Sequence, residues 1–243
     1  MPDVTDVWTL LQGRRRTDGG LPLVTYVDST TSERTELSAT SVENAASKIA
    51  NALRDEFDLE PGSVVGLHLP LHWQRATWCA GIWTAGCIAA PGALDADLVV
   101  AAPSTVDAVS EAASTPVVVV SLHPFGLPIT SQLPPGCSDA TITVRQQPDA
   151  YLFDPPQPTS AALLLDGVCI DQAEMLDLAR QRGEEWGLAA AGRLLVDDAV
   201  DEREAWLASL AVPLACRASV VIVSGRTDVE RIAAQEQVSA RAR

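Results

Sequence analysis

The sequence predicts an α/β fold, a mainly parallel sheet flanked by helices. Three observations lead there. Short apolar runs alternate with amphipathic helical segments almost throughout the 243 residues. Pro116 to Leu122 holds four consecutive valines, as a strand buried on both faces requires. Capping signatures stand directly ahead of several helical periods.

Taken in order, Leu23–Asp28 and Arg34–Leu37 read as strands around a Ser/Thr turn. Thr40 with Glu43 forms a capping box. Val42, Ala45, Ala46, Ile49, Leu53 and Phe57 then recur at helical spacing. Pro61-Gly62 ends that unit, and Ser63–Leu69 is an apolar strand. Trp73–Ala85 reads as a helix buried on all sides and Cys87–Ala90 as the strand after it. Leu98–Ala102 is a strand, Ser104 with Asp107 caps a short helix to Ala113, and Pro116–Leu122 is the valine strand. His123–Gly136 and Pro148–Pro158 are Pro-rich, irregular connections, with a strand at Thr141–Arg145 between them. Ala161–Val168 is a strand, and Asp171 with Glu174 opens a helix to about Trp186. A strand at Arg193–Val196, a helix at Glu202–Leu214, a strand at Ser219–Val223 and a last helix capped by Thr227 with Glu230 complete the chain. Residues 239–243 are expected to fray. The whole, 1–243, reads as one α/β domain without internal repeats.

Composition narrows the function. With 32 acidic and 17 basic residues the formal charge is −15, which argues against nucleic acid and anionic membrane surfaces as partners. The one basic run, Arg14-Arg15-Arg16, is too short to change that and reads as a solvated face or a contact with an acidic partner. Ala76–Leu94 is uncharged and long enough to cross a bilayer, but its Ala, Gly, Thr and Pro content suits a buried helix and strand better. Five cysteines, an odd number without a C-x-x-C pair, fit reduced thiols in a cytoplasmic protein. Met1–Leu11 lacks the apolar core of a signal peptide. Lys48, the single lysine, reads as a solvated charge.

From Leu37 to Gly92 the features follow a recognisable order: the capped helix, then "LEPGSVVGLHLP" at 59–70, then "HWQRATWCAGIWTAGCIAAPG" at 72–92. This resembles the N-terminal part of the adenylate-forming superfamily, which includes acyl-CoA synthetases, luciferases and peptide-synthetase adenylation domains. "PLACRASVVIV" at 213–223 and the "SGRTDVERIAAQEQV" that follows resemble a later strand and helix of the same enzymes. The resemblance implies a Ser/Thr/Gly-rich phosphate loop with a lysine after the strand at 161–165. The sequence there is "LLLDGVCID". One glycine beside Asp166 cannot line up the backbone N–H groups that cradle ATP phosphates, and the carboxylate repels them. The family's adenine- and ribose-holding motifs and its mobile C-terminal domain are not found in these residues either. The chain is similar to a short, uncharacterised actinobacterial type. The resemblance therefore implies a non-catalytic remnant acting as a binding or scaffolding protein, or one half of a split acyl-activating enzyme completed by a partner chain. No cofactor is expected. A homo-oligomer or protein partner is, and so is an acyl or nucleotide-like ligand.

Candidate ligand contacts stand where strands give way to helices, the edge at which α/β sheets bind ligands. They are His72, Gln74 and Arg75; Asp166 and Gly167; and Ser224, Gly225, Arg226 and Thr227. His68 and His72 are four apart, but Pro70 between them breaks the helix that would make them converge, so no metal site is assigned. Trp73, Trp78 and Trp83, five apart, point to different helix faces and suit packing better than a ligand cage. No Ser/His/Asp arrangement or G-x-S-x-G elbow exists, and no catalytic residue is named. Asp197-Asp198 and Asp201-Glu202 sit at a helix start, where capping and the helix dipole account for them.

Overall fold

The computed structural model describes residues 5–225 and 228–243. Two sheets share one helical layer. The first half of the chain supplies α1 (Val7–Asp18), β1 (Pro22–Asp28), β2 (Arg34–Ser38), α2 (Ala39–Asp55), β3 (Val64–His68), α3 (Trp73–Thr84), β4 (Ile88–Pro91), β5 (Leu98–Ala101), α4 (Val106–Ala112) and β6 (Val117–Val119). The second half supplies β7 (Cys137–Asp139), α5 (Ala140–Gln146), β8 (Ala161–Leu165), β9 (Val168–Asp171), α6 (Gln172–Glu185), β10 (Arg193–Asp197), α7 (Glu202–Ala208), α8 (Ala211–Ala215), β11 (Ser219–Ser224), α9 (Val229–Gln235) and β12 (Ala240–Arg241).

The strand orders are β12-β10-β11-β1-β2 and β7-β6-β5-β3-β4-β8-β9. Pairings are parallel except at the hairpins β1–β2 and β8–β9. The α/β reading with a mainly parallel sheet is thus observed, distributed over two sheets. α3 is buried along its whole length, as its apolar, uncharged run from Ala76 requires. Its close approach to α2 depends on Gly81, where a Cβ would stand 2.4 Å from Ile49 Cγ2. Among the described residues no helix is long and apolar enough to cross a membrane.

Several local expectations fail for identifiable reasons. Thr141–Arg145 is helical within α5. Its β-branched run reads as a strand, but Asp139 accepts from the Thr141 N–H at 2.8 Å and caps a helix that packs on α2. The helix expected over 202–214 breaks into α7 and α8, because Pro213 has no N–H and its ring excludes an α-helical carbonyl at Ser209. The strand expected over 161–168 stops at Leu165, and Val168 begins a second strand. Ser38, not Thr40, caps α2. Ser104 does not cap α4, which begins after Thr105. The tail is not frayed: Ala240 and Arg241 pair with Leu194 and Leu195 as β12, and Ala240 and Ala242 are buried. α1 escaped the sequence reading because its buried face is only Val7, Trp8 and Leu11. Two of its three arginines are engaged within the chain. Arg14 donates to the Arg217 carbonyl at 3.0 Å and Arg15 pairs with Glu43 at 2.9 Å.

Candidate functional site

A cleft of about 860 Å³ opens at the carboxyl ends of β3, β4, β8 and β10. β3, β4 and β8 belong to the seven-stranded sheet and β10 to the five-stranded one, so the carboxyl ends of strands from both sheets face the cleft, as such ends do in α/β ligand sites. β3 contributes Leu67 and His68, β4 ends at Pro91, and the β8–β9 turn presents Asp166. β10 ends at Asp197, and the segment after it brings Asp198, Asp201, Glu202 and Arg203.

Arg75, in the first turn of α3, forms the floor. Its Nη2 donates to the Leu69 carbonyl at 2.8 Å and to Glu202 Oε1 at 2.7 Å. Its guanidinium lies 3.9 Å over the Trp206 ring. The buried Nε and Nη1 have no acceptor. Burial pulls the Arg75 pKa below the usual arginine value, with Glu202 opposing that shift. The rim is acidic: five carboxylates face two guanidinium groups around the opening.

The turn at Asp166-Gly167 is a two-residue β-hairpin connection. Both residues take positive φ, +50° and +77°, as the tight primed turns of such hairpins require. Strand β8 therefore does not run through Asp-Gly straight into the capped helix; it reverses into β9, and α6 starts only after that. Asp166 pairs with Arg203 at 3.3 Å, both exposed.

The other expected contacts are dispersed. His72 caps α3, its Nδ1 accepting from the Gln74 N–H at 3.2 Å, so the ring proton sits on Nε2. The ring is buried 4.4 Å from that of Tyr26, and burial pushes its pKa down to about 4. It is a structural cap and not a wall of the cleft. Gln74 points away, donating to the Ser121 carbonyl and accepting from Thr77. Ser224 ends β11 and bonds the Tyr26 hydroxyl at 2.8 Å. The Gly225 N–H donates to Asp198 Oδ2 at 2.7 Å, which ties that turn to the acidic rim. Gly167 adjoins the cleft beside Asp166, while Arg226 and Thr227 lie outside the described residues. The structure thus brings Arg75 and Asp166 to one cleft and leaves His72, Gln74 and Ser224 out of its lining. His68 Nε2 is engaged with the Ala93 carbonyl at 3.0 Å, apart from His72.

The sequence alone explains the carboxylates after β10 as helix caps. Asp201 is one, accepting from the Arg203 N–H at 3.0 Å. Glu202 instead holds Arg75, and Asp198 holds Gly225. Their position at the carboxyl end of an apolar strand was the signal available for them.

No family model matches the chain. The acetoacetyl-CoA synthetase from Streptomyces lividans superposes with a TM-score of 0.78 at 16% identity, covering 96% of this chain and 41% of that one. An acyl-CoA synthetase of Brucella canis gives 0.75 at 17% identity, covering 98% and 47%. The N-terminal domain of FACL13 from Mycobacterium tuberculosis gives 0.70 at 15% identity, covering 96% and 61%. The chain spans less than half the length of the first two, and its fold is that of the N-terminal portion of acyl-CoA synthetases. In sequence, a "TIGR03089 family protein" of Mycobacterium tuberculosis (strain ATCC 25618 / H37Rv) is 37% identical over 192 residues, 76% of each chain. At that identity and coverage, the chain belongs to the TIGR03089 family.

Proposed function

We propose that this chain is a non-catalytic remnant of an adenylate-forming enzyme, which keeps the ligand cleft of that fold and has lost its phosphate chemistry. The observation that carries the reading is the Asp166-Gly167 turn. A triphosphate needs several backbone N–H groups converging on it and cationic side chains to balance its charge. A two-residue hairpin turn offers neither, and Asp166, Asp197, Asp198, Asp201 and Glu202 make the opening repel anions. Arg75 on the floor, with two unpaired N–H sites, suits a neutral or weakly charged acyl or nucleotide-like group reaching past that rim. Asp166, Gly167 and Gly225 would line its approach.

A scaffolding role with a protein partner or a second copy belongs to the same reading. Its support is β9, an edge strand with unpaired backbone groups and an exposed Val168. Five free cysteines support a cytoplasmic location.

A thermal-shift panel with ATP–Mg, AMP, a non-hydrolysable acyl-adenylate analogue and acyl-CoA tests the reading. A ligand at 100 times its dissociation constant adds about 2.7 kcal/mol, roughly 5–10 °C in a domain of this size. The expected result is no shift with ATP–Mg and no ATP consumption. ATP turnover by this chain alone sinks the proposal. A shift with the adenylate analogue, together with turnover once a partner chain is added, establishes the split acyl-activating enzyme instead.

A further inference from the structure

A second cavity lies away from the cleft, between α2, α3, α5 and the turn at 124–126, with a volume of about 340 Å³. That is at the small end of ligand sites, which run from roughly 300 to 1,000 Å³. Its walls are mainly apolar, Ile49, Trp73, Trp78, Val120 and Val144 with Phe125 at the rim, and Gln74, Thr77 and Thr141 add polar groups. Phe125 is 82% exposed, an unusual position for so large an apolar ring. It is held there, because its N–H donates to His123 Nδ1 at 3.1 Å and Arg145 Nη1 grips the Gly126 carbonyl at 3.1 Å.

The charge on this cavity is opposite to that of the molecule. Lys48 and Arg145 both line it, and no carboxylate does. The cleft and three other large cavities among the described residues each carry Asp or Glu on their walls. Two cations without an acid on one apolar pocket, in a chain of net charge −15, mark a local positive potential. Lys48 is half-buried, not the solvated charge its helix position suggested. It donates to the Gln147 carbonyl and, at 3.4 Å, to the Arg145 carbonyl, and pairs with Asp149 at 3.0 Å, contacts an anionic head would share or displace. Asp149 stands outside the cavity lining and is 64% exposed, so solvent screens that pair. Gln74, Thr77 and Thr141 are hydrogen-bonded within the chain, whereas the indole N–H of Trp73, 9% exposed, has no acceptor.

We propose that this cavity binds a small amphipathic anion, its alkyl or aryl body between Ile49, Trp78 and Val144, under Phe125, and its charged head between Lys48 and Arg145. An apolar body gains from leaving water for such walls, and a single anionic head is the charge that two cations without an acid select. The proposal stands independently of the reading of the cleft.

Titration calorimetry of the full chain with octyl sulfate below its micellar concentration, octanoate, octan-1-ol and octyltrimethylammonium tests it. Both anions are expected to bind one to one, the alcohol at least tenfold more weakly, and the cation not at all. Lys48→Gln and Arg145→Gln should each weaken the anions several-fold and leave the alcohol unchanged. Ala45→Phe, which fills the cavity from the surface of α2, should abolish binding of both anions while melting cooperatively. Should that variant not fold, the two charge variants decide alone. Arg203→Gln, in the acidic cleft, should change nothing here. The proposal is overturned if neither anion binds, if the alcohol binds as well as they do, or if Arg203→Gln removes binding that Ala45→Phe keeps. Uptake by anionic vesicles without binding of either soluble anion would also overturn it.

Discussion

Arg75 and Glu202 are joined at 2.7 Å across the cleft, yet they stand in opposite environments, with the Arg75 side chain 2% exposed and that of Glu202 67%. The pair is therefore unequal. Arg75 is held mainly by the Trp206 ring and the Leu69 carbonyl, and Glu202 adds a solvent-screened contact. Glu202→Ala should cost about 1 kcal/mol or less. Arg75→Ala should cost about 2–4 kcal/mol, because it leaves a void beneath Trp206. Urea denaturation of the two variants checks this. Equal costs would mean that the ion pair, and not the stacking, holds the floor of the cleft.

His72 makes stability depend on pH. Its folded pKa, about 4, lies below the ordinary 6.5 because the neutral ring is buried. Between those values the unfolded chain binds the extra proton, so stability rises with pH across that window and is complete above about 6.5. Acidification from pH 7 to 4 should remove up to about 3 kcal/mol from this group. His72→Asn keeps a capping acceptor and should flatten the slope between pH 4.5 and 6.5. A slope unchanged in that variant would mean that the His72 ring does not carry the acid sensitivity of that window; Glu236, which Arg34 holds below its usual value, loses its contribution only at lower pH.

The alternation of apolar strands with capped helices was legible because period and caps are local properties. Asp171 with Glu174 does form the capping box, and Trp73–Thr84 is the buried helix. What escaped is set by contacts distant in sequence. β12 exists only because β10 offers it a free edge, and α5 is helical because α2 lies beneath it. The cleft was half legible. Arg75 and Asp166 stand at strand ends, whereas Glu202 looked sufficiently explained by the helix it opens. The second cavity was invisible, since Lys48 and Arg145 are far apart in sequence and only folding brings them to one pocket.

Gly81 sets the spacing of α2 and α3. Its added methyl in Gly81→Ala would meet Ile49 Cγ2 at 2.4 Å, inside contact distance. Overpacking of this kind costs about 1–3 kcal/mol, equivalent to a fall in Tm of roughly 2–4 °C per kcal/mol in a chain of this size. Ile49→Ala removes that Cγ2 methyl but keeps its own Cβ, 2.5 Å away, so it relieves the clash in part. The double variant should then be less destabilised than the sum of the two single changes. Additive losses would show that the helices move apart freely and that Gly81 is no constraint.

The cysteines should separate by environment. Cys169, on the edge strand β9, is exposed. Burial pushes the thiols of Cys79 and Cys87 up to about 12, so almost no thiolate exists at neutral pH. Reaction of the native chain with a chromogenic disulfide reagent at pH 7.5 should show a fast phase of one thiol, absent in Cys169→Ser. Two thiols should react only on unfolding. Rapid modification of Cys79 would mean that α3 leaves the core on the timescale of the reaction. That would contradict the burial of every residue along that helix and reopen the cleft floor, which Arg75 on the same helix closes.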